Sequence, residues 1–358
     1  MSAAHLVDWR LAQRIALGLA GDDRAAGPFD QAAVDSACAD ALTLVTGYTG
    51  LRPTGALPAP ELIDRAEWAR IGVRSLRELS SRLEHRIAEG ISLPGPLGSM
   101  ARSLAGAAAA AEAGVAVGYG ARKVLGQYDL ALAGASRDPR LVFVGPNLAS
   151  AHADLGEDAG LFLRWIAIHE TTHSIQFGSV AWLQPHLVGL LDRLIDGASA
   201  RLDQATLRSA AKRLFRADPR ETIRTVMRGD LPRLLAGPEQ TRTLDALQAT
   251  MSVIEGYAEH VMDAAGRSLD PGYARLRGRL EARRANRGGL AEVIARLLGV
   301  ELKLRQYRLG KAFCDAVAAD AGIEGLNEVW GSAEALPTLE ELERPRDWVR
   351  RPTAPASA

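Results

Sequence analysis

The chain has 358 residues, 47% of them hydrophobic, and 43 Lys plus Arg against 43 Asp plus Glu. That apolar share supports a sizeable core, while zero net charge and a pI near 7.1 supply no overall field for nucleic acid or anionic lipid, so neither partner is expected. Cys38 and Cys314 both sit in apolar helical patterns and read as small buried thiols.

Met1 to Asp23 has an amphipathic helical pattern carrying Asp8, Arg10 and Arg14 and lacks the basic start and apolar core of a signal peptide. With few cysteines and no targeting signal, the expected location is the cytoplasm. After the candidate cap Asp30, apolar residues from Val34 to Val45 recur at helical spacing, and Gly47 is the expected stop. Leu51 to Pro60 reads as a proline-rich loop, followed by a helix from about Ile63 to Ala88 with Trp68, Ile71, Leu76 and Leu79 on one stripe. The run Ala105 to Val117 is short, Ala- and Gly-rich and interrupted by Glu112, so it predicts a packed helix rather than a membrane span.

The chain changes character at Gly126. Gln127–Leu132 and Arg140–Val144 are short alternating or β-branched runs separated by turn residues, the pattern of a small hairpin. Beyond Val180 the periodicity is helical almost throughout, with helices expected at Trp182–Ile195, Asp203–Phe215, Pro219–Met227, Thr241–Ala265, Tyr273–Arg284, Leu290–Leu298 and Leu302–Ala319. The arginine-rich run 275–287 reads as a solvated helix face. In the tail, Thr338 and Glu341 have capping-box spacing, and Trp330 and Trp348 predict docking onto the body. Residues 1–120 read as a helical scaffold, 121–351 as a catalytic region continuous with it, and 352–358 as a disordered tail.

The chemistry concentrates in Leu161–Phe177, an apolar helical pattern holding His169, Glu170 and His173. Positions i and i+4 share a helix face, so the two imidazoles converge on one point, where zinc is the natural occupant. A glutamate beside the first ligand can act as general base on a water activated there. A surface helix would carry such residues innocently, but the apolar neighbours leave little solvated face for them. Gly178 is the expected helix cap; similarity to zinc peptidases of the zincin type, which place a small sheet with a substrate-receiving edge strand beside such a helix, makes the run Arg140–Val144 just before it the expected edge.

A catalytic zinc usually takes a third protein ligand. Ser174 to Val180 lack the glycine and histidine of the metzincin continuation, so the ligand must lie elsewhere. In Met251–Asp263, Glu255 and Glu259 stand one turn apart on a helical pattern, which makes Glu255 the third ligand and Glu259 a supporting acid. His260, His186 and Glu221 are rival ligands. Gly256 beside Glu255 suggests close approach by another element, the metal helix being one candidate. An oxyanion-stabilising donor is also expected, with Tyr307, Arg305 and His260 as candidates.

The segments Trp165–Phe177, Glu255–Asp263 and Leu297–Phe313, and more loosely Asp8 to Trp348, resemble a family of zincin-like metallohydrolases found mainly in actinobacteria. Some of its members are labelled as associated with deazaflavin-coenzyme biosynthesis. The resemblance implies a mainly α zincin-like metallopeptidase fold with a small β-hairpin or sheet beside the metal helix. It also implies His169, His173 and Glu255 as zinc ligands, Glu170 as base and Glu259 behind them. The expected function is a zinc-dependent hydrolase acting on a peptide or small amide. A metal-containing binding or regulatory protein on the same scaffold, and a purely structural helical protein, are the competing readings.

Overall fold

A computed structural model describes residues 7–21, 27–90, 96–130, 138–199, 237–266, 272–285 and 304–351. Its elements in order are α1 (Trp9–Ala20), α2 (Gln31–Thr49), β1 (Pro60–Ile63), α3 (Arg65–Gly90), α4 (Pro96–Ala121), β2 (Gly126–Asp129), β3 (Arg140–Val144), α5 (Gly145–Leu155), α6 (Ala159–Ser179) and α7 (Leu183–Ser199). There follow α8 (Pro238–Gly266), α9 (Tyr273–Ala285), α10 (Leu304–Asn327), two short 3-10 turns, α11 (Leu339–Glu343) and α12 (Pro345–Val349). The architecture is mainly helical with one small sheet, as expected. No described helix is long and apolar enough to cross a membrane. The helices expected at 203–215, 219–227 and 290–298, together with the tail 352–358, lie outside the described residues.

The sheet corrects the sequence reading. It has three strands in the order β1-β3-β2, with β1 parallel and β2 antiparallel to β3. The expected hairpin is present, but Arg140–Val144 is the central strand and not an edge. Its composition gives the reason: a strand covered on both faces reads as a continuous apolar run. Leu141 and Phe143 join the core shared with α2, α6 and α8, while Val142 and Val144 join a second core with Trp68, Ile71 and Val117. The unforeseen β1 hides in the proline-rich segment because it is four residues long and only half-buried. Its outer edge is occupied by one side chain: Gln31 Nε2 donates to Pro60 O (2.8 Å), and Leu62 N donates to Gln31 Oε1 (2.8 Å). The other outer edge, that of β2, faces α6.

Helix α6 is capped by Asp158, whose carboxylate accepts from Leu161 N at 2.7 Å, and it is buried on almost every side. Phe162, Ile168 and Ile175 are fully enclosed; each such side chain contributes about 1.5–3 kcal/mol on burial, and that offsets the several kcal/mol that buried polar groups on the same helix cost. Gly178 lies inside this helix instead of ending it, because the 53–57 loop packs there and a Cβ would stand 2.7 Å from Leu57 Cδ2. Gly47 is likewise internal to α2. That helix starts at its Asp30 cap and ends at Gly50, whose φ of 69° is the left-handed C-cap. The Thr338–Glu341 capping box is present, Trp330 and Trp348 are buried, and so are both cysteines.

Helix α8 crosses α10 where two glycines meet. A Cβ on Gly256 would run into the Gly310 carbonyl group, and one on Gly310 would run into Ser252 O. The element that Gly256 admits is therefore α10 and not the metal helix. Gly256→Ala forces the helices apart and is expected to lower stability by about 1–3 kcal/mol, read as a fall in the urea midpoint with an unchanged slope.

Candidate metal centre

Helices α6 and α8 bring three donor atoms together. His169 Nε2 and His173 Nε2 stand 3.2 Å apart, and Glu255 Oε2 lies 3.6 Å from the first and 3.7 Å from the second. Among the described residues these three form the group of His, Cys, Asp and Glu donors able to hold an ion. Donors about 2.0–2.1 Å from a tetrahedral ion lie about 3.3–3.5 Å from one another, so the triangle has the dimensions zinc needs. Access remains: the His169, His173 and Glu255 side chains are 13%, 10% and 28% exposed.

The electrostatics of the cluster are those of a buried pair. Burial alone would lift the Glu255 carboxyl, but the imidazoles of His173 and His169 hold it well below the ordinary carboxylate range. Burial would likewise depress His173, yet the Glu255 charge and hydrogen bond, with Glu170 and Gln176 behind them, push it up to about 9.

Glu170, next to His169 on α6, meets strand β2 of the sheet. It is buried, and Tyr128 N donates to its Oε2 at 3.2 Å. The contact depends on Gly126, where a Cβ would stand 2.7 Å from Glu170 Cγ. Strand β2 is held in this position from both sides. The Tyr128 ring stacks on Phe177 at 5.6 Å, and Trp68 Nε1 donates to Gln127 Oε1 at 2.9 Å. Burial lifts the Glu170 carboxyl, against the downward pull of His169, His173 and the Tyr128 amide.

The remaining sequence candidates fall elsewhere or outside the description. His260 is engaged at a different junction, with Nε2 against Tyr48 OH and Nδ1 against Asp315 Oδ1, both at 2.8 Å; Lys311 pairs with the same aspartate. His186 lies beside Thr250 and the Trp182 ring. Glu221 is outside the described residues, as are the side chains of Arg305 and Tyr307 at the start of α10. Glu259 stands half-buried one turn beyond Glu255, while the acceptor facing His173 Nδ1 is Gln176 Oε1. Sequence reasoning missed Gln176, Gly126 and the Tyr128 amide. Gln176, three residues after His173, carried a readable spacing signal; the other two depend on which strand lies beside α6.

The chain matches the family described as zincin-like metallopeptidase over residues 7–349. No curated protein matches it. Among solved structures it is similar to a protein from Chloroflexus aurantiacus described as a candidate hydrolase with a novel fold. The two are 29% identical, with a TM-score of 0.70 over 96% of this chain and 98% of that one.

Because burial is the largest single influence on His173 and the Glu255 charge and hydrogen bond are the strongest of those that together overcome it, Glu255→Gln reverses the balance. NMR titration of the metal-free variant is expected to find the His173 pKa below its ordinary value instead of near 9. The linkage follows in sign. A raised histidine pKa contributes stability that is full below the ordinary value and lost as pH rises through about 9, so the variant lacks that alkaline loss.

Proposed function

The chain belongs to the zincin-like metallopeptidase family, and from that premise we propose that it is a zinc-dependent hydrolase that cleaves a peptide or small amide. The observation that carries the reading is the triangle of His169 Nε2, His173 Nε2 and Glu255 Oε2, with Glu170 on the same helix next to the first histidine. Two neutral imidazoles and one carboxylate form a donor set suited to a catalytic zinc. When bound, zinc supplies a Lewis acid that polarises a carbonyl and lowers the pKa of water toward about 7.

The chain's own residues do the rest. Glu170 takes a proton from the attacking water and delivers it to the leaving amine. Its buried, upward-shifted carboxyl suits both steps, since it is basic enough to accept the proton and able to release it. An extended substrate adds to the outer edge of β2, where the Tyr128 amide now bonded to Glu170 becomes a donor for a substrate carbonyl. Gln31 occupies the outer edge of β1, which leaves β2 as the receptive side. Tyr307 is proposed as the oxyanion donor and Glu259 as a supporting acid, from sequence position alone.

Glu170→Gln is expected to reduce zinc-dependent cleavage in a peptide-library screen by about 10²–10⁴-fold while zinc stoichiometry stays at one. Cleavage that survives this change unaltered would sink the mechanism, and one zinc per chain with no Glu170-dependent cleavage supports a binding protein instead. Gly126→Ala pushes the Glu170 carboxylate from its place. It is expected to cut turnover by about 10²-fold without loss of zinc, measured on the same substrate.

A further inference from the structure

Gln176 is fully buried and its side chain bridges the two helices of the site. Its Nε2 donates to Ile254 O at 3.2 Å, and its Oε1 lies 2.9 Å from His173 Nδ1. These two contacts determine where a proton sits. The Ile254 carbonyl can only accept, so the amide nitrogen must face it and the amide oxygen must face the ring. An amide oxygen also only accepts, so His173 Nδ1 must carry hydrogen. In the neutral ring the lone pair then belongs to Nε2, the atom turned toward His169 Nε2 and Glu255 Oε2.

We propose that Gln176 is the positioning residue of this centre. It selects the His173 tautomer whose Nε2 is free for a divalent cation, and it ties α6 to the backbone of Ile254, the residue before the third donor Glu255. One neutral amide thereby sets both the ring's proton and the spacing between the two donor-bearing helices. His169 has no such control from a side chain: its Nδ1 is buried without a hydrogen-bond partner among the described residues. A neutral partner also suits the place, because Glu170 and Glu255 already put two carboxylates around the imidazoles and a third would need its own counter-charge. The inference rests on reading His169, His173 and Glu255 as a metal site.

Gln176→Met keeps side-chain length and apolar bulk but removes donor and acceptor. Chelator competition is expected to find zinc binding weaker by about 10–100-fold, the usual effect of losing a partner behind a histidine ligand. A second measurement needs no variant. In wild-type protein loaded with ¹¹³Cd, NMR coupling from the metal is expected at His173 Nε2, with a protected proton on Nδ1. Coupling at Nδ1 overturns the proposal, as does a methionine variant with wild-type zinc affinity. A wild-type chain that binds neither zinc nor cadmium overturns the metal reading itself, and this proposal with it.

Discussion

The apposition of α6 and α8 around a buried polar cluster is the constraint on which the rest of the structure depends. Two imidazoles and a carboxylate are held where water is scarce, and an unpaired charge there would cost several kcal/mol. The site is tolerable because the groups compensate one another: Glu255 is held ionised by His173 and His169, and His173 is held protonated by Glu255. A divalent cation could take the place of that proton among the same three donors. The aliphatic and aromatic enclosure of α6 supplies the stability that carries this arrangement.

Close approach of backbones then sets the geometry around that cluster. Gly256 and Gly310 let α8 lie against α10, which fixes the helix that presents Glu255. Gly126 lets β2 come onto Glu170, so the sheet edge and the proposed base meet at one amide. Gln31 closes the far edge of the sheet. The protein therefore presents one strand edge to the site and none on the opposite side of the sheet.

Much of this was legible in the sequence where the signal is local. His169, Glu170 and His173 stand at spacings that a helix must bring together, and their apolar neighbours imply burial. Glu255 was reachable by elimination and by its helical setting, and the Asp30 cap and the Thr338–Glu341 box were readable from spacing. What escaped depends on contacts between distant segments. Glycines at 47 and 178 look like helix stops, yet one is simply carried inside α2 and the other admits the 53–57 loop. β1 is short and opens on Pro60, so nothing in its own four residues marks it as a strand; without it, β3 passes for an edge although its unbroken apolar run already suits a centre. Gln176 lies three residues past His173, but its meaning appears only when the Ile254 carbonyl is placed opposite it.

The account stands or falls on what occupies the triangle between the two helices. Crystals of the purified protein, measured on either side of the zinc absorption edge, test this directly. An anomalous peak is expected about 2.0–2.2 Å from His169 Nε2, His173 Nε2 and the Glu255 carboxylate together. A map without a peak there, or with zinc held by other residues, would contradict it.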